Sequence, residues 1–572
     1  MSEVKVGPTL DPEVLKDIEW FQSNLQKYRG GELTEEEFRP LRLHMGVYGQ
    51  RQGGETQMFR LKIPWGGLDG AKLRKIARLA REYGGGVAHA TTRQNFQVHY
   101  IELDRIAEAM ADVAEAGLIS REACGNTIRN VVGDPLAGVC PEERFDVTPY
   151  ADALVRYFLR HPAFQSLPRK FKISFSGCPQ PCPTCGIDEP IAWLHDIGFV
   201  ANIGEGRRGF EVWVGGGLGN TPRAARLLEP FTPENDFIRT AAAILTLFNA
   251  EGERRNRNRA RIKFLVEKLG WEEFRRRVGE IRETLPREPL SIPELREYPE
   301  TRTHEAPAGG ADPRWLRHNV RSQKQAGFAT VTVVLPRGDV SADQLDEVAA
   351  IADAFSDGFV RASPSQNLIL RWVRHSNLPA LHARLAKIGL AEPTAGTAQD
   401  VTSCPGASTC ALAFTHSKNL AGALRDLMEE HRELFQGEPL SIKISGCPNS
   451  CGQHHVADIG FYGMARRIGE REVPAYQVMV GGGLTTGEAA FGTALGRVPA
   501  RLAPEALKRL VAHFALWREP GERFRHFVAR SGSGLGELIV DLVNVPGDPE
   551  LARDIGIDAP FRSHVGPGEC AR

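Results

Sequence analysis

An internally duplicated α+β protein with pseudo-two-fold symmetry is the fold class this sequence predicts, and three observations predict it. Blocks of the first half return in the same order in the second. Short apolar extended runs alternate with segments whose apolar residues recur every three to four positions. Both halves then carry a glycine-rich loop with paired cysteines, Cys178/Cys182 and Cys447/Cys451.

The repeat opens at Phe59-Arg-Leu-Lys-Ile-Pro64. A run of the same kind ends at Pro336, 272 positions later. A helix follows, with Leu73, Ile76, Leu79 and Ala80 on one face, and Leu345, Val348, Ile351 and Ala352 repeat that face. Next comes a strand, in which Gln94-Asn95 returns as Gln366-Asn367. A second helix, Leu103 to Ala116 or Asn377 to Ile388, completes the unit. Strand, helix, strand and helix make half of a ferredoxin-like sandwich. A larger unit follows each half-sandwich. Lys172-Ile-Ser-Phe-Ser-Gly-Cys178 is echoed by Lys443-Ile-Ser-Gly-Cys447, Asp196-Ile-Gly-Phe199 by Asp458-Ile-Gly-Phe461, and Val212 to Leu218 by Val478 to Leu484. The order is A, B, A′, B′, which places a ligand at the axis between halves. The expected units are an N-terminal extension (1–41), half-domain 1 (42–117), larger domain 1 (118–285), a linker (286–313), half-domain 2 (314–392), larger domain 2 (393–545) and a C-terminal tail (546–572).

Length supports several cores rather than one. Lys+Arg and Asp+Glu both number 71, so no net charge argues for nucleic acid or a membrane surface. Apolar runs such as Val331 to Leu335 are far too short to span a bilayer. Ten cysteines in 572 residues are too sparse for a disulfide framework. The chain therefore reads as cytoplasmic.

The densest chemistry lies in the last third. Cys404 and Cys410 form a C-x5-C pair, and Cys447 and Cys451 a C-x3-C pair. Four thiolates from two loops suit a cubane iron–sulfur cluster. Zinc is the competing reading, although its cysteines usually lie two to four residues apart in matched pairs. In the first half, Cys124 is aligned with Cys404 and Asn130 with Cys410, which implies a lost ligand. Cys178, Cys182 and Cys185 form C-x3-C-x2-C, a spacing also used by radical enzymes built on S-adenosylmethionine. The repeat already accounts for two of these three, and the third lies in an insertion from Pro183 to Trp193. A small additional metal site stays open.

In their glycine and proline settings, the C-x5-C and C-x3-C pairs and the duplicated order resemble the sirohaem- and [4Fe–4S]-dependent sulfite and nitrite reductases. The resemblance runs from about Arg42 to Val545. It implies that the two larger domains bind sirohaem and cluster, that Cys404, Cys410, Cys447 and Cys451 ligate the cluster, and that Cys451 also bridges to the sirohaem iron. It implies an anion site at Arg60, Arg129, Lys170 and Lys172, where fixed cations hold an oxyanion and stabilise charge as its oxygens leave. Alternation along Lys170-Phe-Lys172 puts both lysines on one face. Arg93 and Gln97 resemble residues that hold the carboxylate-rich macrocycle. Tyr48 matches an aromatic near the haem, and Cys124 is expected close to it, in contact or crosslinked.

The implied activity is the six-electron reduction of sulfite to sulfide by a ferredoxin-fed monomer. Nitrite to ammonia is the alternative, and a non-enzymatic iron–sulfur carrier or sensor the rival from another class. Sulfite is preferred because sulfite-type members tend to carry Lys-x-Lys where nitrite-type members carry Lys-x-Asn. Gly215-Gly-Gly-Leu-Gly-Asn220 and its twin at Gly481 lack the third glycine of a dinucleotide fingerprint. The basic run Arg254 to Lys263 lacks the aromatics of a nucleic-acid site and reads as a solvated helix or a dock for the donor or cofactor. His454-His455 and Cys570 are given no role in chemistry.

Overall fold

The computed structural model describes residues 10–53, 55–186, 191–287, 310–436, 439–485, 488–546 and 548–563. Cys570 and most of the expected linker lie outside the described residues. Among the described residues, no helix is long and apolar enough to cross a membrane.

Four five-stranded sheets form two matched pairs. The first ferredoxin-like sheet has the order Val47–Gly49, Thr56–Arg60, Phe96–Glu102, Val87–Ala90 and Asp339–Ser341. The second has the order Val320–Ser322, Phe328–Val333, Leu368–Arg374, Phe359–Ala362 and Gly67–Asp69. Each sheet thus takes its last strand from the other half: Asp339–Ser341 pairs with Val87–Ala90, and Gly67–Asp69 with Phe359–Ala362. The exchanged strand leads directly into a helix, Gly70–Glu82 or Ala342–Phe355. Asp69 and Ser341 cap those helices by accepting from Lys72 N and Gln344 N. All eight residues of the expected apolar faces are fully buried, and one apolar core runs through both half-domains.

The larger domains repeat a different sheet. In the first, Val132–Gly133, Ile173–Ser176 and Ile197–Gly204 run parallel, and Arg207–Val214 and Arg226–Pro233 continue antiparallel. Thr402–Ser403, Ile442–Ser445, Ile459–Ile468, Arg471–Val480 and Thr493–Pro499 do the same in the second. Each sheet has its own apolar core, Phe-rich in the first.

Gln94 and Gln366 hold the halves together. Gln94 donates to Gly133 O at 2.8 Å and Ala362 O at 2.9 Å, and accepts from Gly133 N at 2.8 Å. Gln366 donates to Ala90 O at 2.8 Å and accepts from Ser403 N at 2.8 Å. Each glutamine ties its own larger domain to the strand of the opposite half.

Two expected boundaries fall inside packed structure. Helix Glu35–His44, closed by a Thr34/Glu37 capping box, runs through the expected break at 41. Phe38, with Ile18, Phe21 and Leu25 of helix Pro12–Arg29, is part of the shared core. At the other end, Leu551 and Ala552 pack on Val473, and buried Asp554 accepts from His416 N at 2.7 Å. Residues 551–554 are therefore anchored to the second larger domain.

Candidate functional site

The sheets place a row of cations where the halves meet. Phe171 is fully buried and bridges to Ile128, which leaves Lys170 and Lys172 on the opposite, partly open side. Lys172 N donates to Asp196 Oδ2 at 2.7 Å, and Arg261 grips the same carboxylate through contacts of 2.8–3.0 Å. Arg129 donates from Nε to Ala123 O at 2.9 Å, and Arg60 donates to Cys124 Sγ at 3.2 Å. Arg93 reaches Asn130 O.

These cations crowd one another. Burial, then the Arg129 charge, pushes Arg93 down to about 9. Burial, then Arg261, Arg93 and Lys170, pushes Lys172 well below the lysine range, while Cys451 acts in the opposite sense. Lys172 of the first half therefore lies in electrostatic reach of Cys451 of the second. Thr92 Oγ1 donates to Cys451 O at 2.9 Å and joins the same two segments. A cavity of about 690 Å³ opens beside this row, and Lys170, Arg169, Arg257, Arg121 and Arg39 are among its lining residues.

The C-terminal cysteines come from the ends of two parallel strands. Cys404 follows Thr402–Ser403, and Cys447 follows Ile442–Ser445. Gly446 N donates to Cys404 Sγ at 3.2 Å. Burial, then Cys451, Cys410 and Cys404, raises the Cys447 thiol well above its usual range, so the other three lie in electrostatic reach of Cys447. Cys451 is exposed and Cys410 half-exposed. The loops tolerate little bulk: a Cβ on Gly452 would stand 2.0 Å from Ile444 O. Arg51 holds the C-x5-C loop from the other half, with its N on Thr409 O at 2.8 Å and Nη1 on Ala413 O at 2.7 Å.

Strand pairing corrects the alignment of the first copy. Gly133 and Ser403 hold equivalent places, since each ends the strand beside Ile173–Ser176 or Ile442–Ser445 and each N–H donates to Gln94 or Gln366. Arg144 N donates to Gly177 O at 2.8 Å as Phe414 N does to Gly446 O at 2.8 Å, and Lys324 N meets Val139 O as Arg51 N meets Thr409 O. Asp134 is thus the twin of Cys404, and Cys140 the twin of Cys410. Cys124 and Asn130 are not their counterparts. Asn130 instead accepts from Ile63 N at 2.9 Å and donates to Ile63 O and Arg93 O at 2.7 and 2.8 Å. The first copy kept three of four thiols, and Cys185 adds a fourth. The sulfurs of Cys140, Cys178, Cys182 and Cys185 all lie within 4.8 Å of one another, and all four residues are buried.

Tyr48 and Cys124 lie in one small buried cluster with Leu43 and Met58. Gln97, with its amide turned to suit the guanidinium, accepts from Arg60 Nε at 2.9 Å. The His454 and His455 rings lie tilted to one another with centroids 4.2 Å apart, and His455 Nε2 meets Gly219 O at 3.0 Å. Both glycine-rich loops are packing devices, since a Cβ on Gly216 would meet Trp193 O at 2.3 Å and one on Gly482 would meet His455 O at 2.4 Å. The basic run is not one solvated helix: a turn at Arg257–Arg259 precedes helix Ile262–Leu269, and Arg261 and Lys263 turn inward. Arg261 and Cys140 escaped the reading of the sequence. The Asp196 repeat block pointed to Arg261's partner, and counting six residues on from Asp134 would have found Cys140.

The model of the nitrite and sulphite reductase 4Fe-4S domain matches residues 124–285 and 395–534, and that of the nitrite/sulfite reductase ferredoxin-like half domain matches 48–116 and 321–388. The chain belongs to the nitrite and sulfite reductase family and is an oxidoreductase. The sulfite reductase [ferredoxin] of Mycobacterium tuberculosis is 30% identical over 83% of this chain and 82% of its own. The assimilatory ferredoxin-dependent nitrite reductase of Haloferax mediterranei is 33% identical over 85% and 84%. The solved structure of the M. tuberculosis NirA protein matches at a TM-score of 0.77 and 28% identity, over 91% of this chain and 96% of that one.

The family's cofactors are sirohaem and a [4Fe–4S] cluster, and the donor set fits both. Arg93, Arg129, Lys172 and Arg261 crowd one another while the buried Asp196 carboxylate is held by Arg261, a charge excess that a polycarboxylate macrocycle would relieve. The buried Thr409 Oγ1 and Ser450 Oγ, beside Cys410 and Cys451, have no partner in the protein.

Proposed function

We propose that the chain reduces sulfite to sulfide, taking six electrons from ferredoxin, as a cytoplasmic monomer whose internal two-fold stands in for a dimer. The observation that carries this reading is the convergence of Lys172, Arg93 and Cys451 from opposite halves. When bound, sirohaem and cluster supply an iron with an open position and the electrons, one at a time. Cys404, Cys410, Cys447 and Cys451 would hold the cluster, with Cys451 nearest the cations; Arg93 and Gln97 would meet the carboxylates of the macrocycle.

The rest of the chemistry belongs to side chains. The arginine- and lysine-lined cavity draws an anion inward. Arg60, Arg129, Lys170 and Lys172 bind its oxygens and stabilise charge as each departs as water. Lys172, whose ammonium is destabilised by burial and neighbouring arginines, gives up a proton readily, and arginines do not. Asp196 keeps Lys172 and Arg261 in register. Lys172 also favours sulfite, the larger and more highly charged anion. Steady-state assays with both anions test this: a higher kcat/KM for sulfite is expected, and a much higher value for nitrite overturns it. An absorption spectrum with cluster bands and no chlorin bands would leave an electron carrier instead.

A further inference from the structure

The quartet in the first copy differs from its twin in one decisive respect. In the family-type site the thiols spread over two loops, and Cys404, Cys410, Cys447 and Cys451 do not gather within the 4.8 Å that groups the first quartet. In a cubane each thiolate binds a different iron, so the sulfurs must stand apart. In the first copy they close on a point. Cys140 Sγ lies 3.4 Å from Cys178 Sγ and 3.8 Å from Cys182 Sγ and Cys185 Sγ; Cys178 and Cys185 are 3.8 Å apart. Four sulfurs held about 2.3 Å from one tetrahedral zinc stand about 3.8 Å from one another. A disulfide would bring a pair to about 2 Å.

We infer that Cys140, Cys178, Cys182 and Cys185 bind one structural zinc ion. The local turn suits it: Cys185 N donates to Cys182 Sγ at 3.4 Å, Gly186 N closes on Cys182 O at 3.0 Å, and Gly186 has φ +58. All four coordination positions are taken by protein and lined by Leu136, Val139, Ile369 and Trp372, which is the closed arrangement of a structural rather than a catalytic site. Asp134 Oδ2, in place of the Cys404 twin, sits 3.4 and 3.5 Å from Cys185 and Cys178 Sγ, and Glu142 Oε2 sits 3.1 Å from Cys140 Sγ.

The location gives the ion its task. Cys140 and Cys178 lie beyond the C-terminal ends of Val132–Gly133 and Ile173–Ser176, the adjacent strands that Arg129 and Lys172 precede. Around the ion, the first larger domain docks on the second ferredoxin-like sheet: Gln325 donates to Gly138 O at 3.0 Å, Arg371 to Ala137 O at 2.7 Å, and Arg321 to Cys185 O at 3.4 Å. The zinc fastens this junction while the twin position, at the other junction, serves the cluster.

Metal analysis of the purified holoenzyme tests the inference independently of turnover. One zinc per chain is expected beyond the iron of the cofactors, with zinc-edge absorption showing four sulfurs at about 2.3 Å. A Cys182→Ser/Cys185→Ser variant is expected to lose the zinc and keep its iron. Absence of zinc from the wild-type holoenzyme, or iron at this site as a single ion or a second cluster, overturns the assignment. The wild-type measurements decide the matter even if the variant fails to fold.

Discussion

Buried charge is handled in two opposite ways within a few residues. Lys62 and Glu122 form a closed pair at 2.7 Å, both side chains 2% exposed. Burial would raise the Glu122 carboxyl, but the Lys62 charge and hydrogen bonds from Lys62, Gln165 and Arg160 N outweigh it and hold it at about 2, against an ordinary 4.5. A carboxyl depressed in the folded state adds stability above its unfolded value. That contribution, on the order of 3 kcal/mol, is lost as pH falls from about 4.5 towards 2. Urea unfolding from pH 6 to pH 3 is expected to show this slope in the wild type and a shallower one in Glu122→Gln. Lys172, by contrast, has like charges for neighbours, and Asp196, which accepts from its backbone N–H, has its carboxylate held by Arg261. In the proposed reaction the Lys172 charge meets the anion. Lys172→Asn is expected to lower kcat/KM for sulfite about 100-fold, the usual scale for one lost oxyanion donor, and to lower that for nitrite less. Equal losses for both anions would remove Lys172 from specificity.

At the scale of elements, the Gln-Asn turns between strands do the joining. Gln94 is fully buried, with φ 56, and its amide satisfies Gly133 N, Gly133 O and Ala362 O at once. Gln94→Ala leaves those three groups without a partner and is expected to cost about 3 kcal/mol, read as a lower urea midpoint. A loss under 1 kcal/mol would mean that water replaces the amide. The periodic faces of Gly70–Glu82 and Ala342–Phe355 and the offset of Gln94 and Gln366 were legible in the sequence, because burial writes itself into spacing. The lysine pair was legible through strand alternation around Phe171. Cys140 was not. Its equivalence to Cys410 is a matter of which strand lies beside Ile173–Ser176, and nearest-motif matching drew Cys124 and Asn130 into its place. Arg261 was hidden for a related reason: a run of basic residues carries no sign of which one turns inward to a buried aspartate.

For the whole molecule, duplication has produced one unit rather than two. Each ferredoxin-like sheet is completed by a three-residue strand of the other half, and the helices that follow those strands share a single core. Each larger domain is held by a loop from the opposite half, through Arg51 on Thr409 O or Lys324 on Val139 O. The proposed anion-side cations belong to the first half and the proposed cluster cysteines to the second, so on this reading neither half holds the whole site. This arrangement makes the halves interdependent, since either one alone exposes an unpaired sheet edge and half of a buried core. Cutting the chain between residues 288 and 309 should therefore give two fragments that aggregate when expressed singly. Expressed together they should copurify as a one-to-one complex with the cofactor spectrum of the intact protein. A soluble, folded first fragment on its own, seen as a cooperative unfolding transition, would show that the exchanged strands are ornament to an independently stable domain and that the two-fold is not needed to hold the site together.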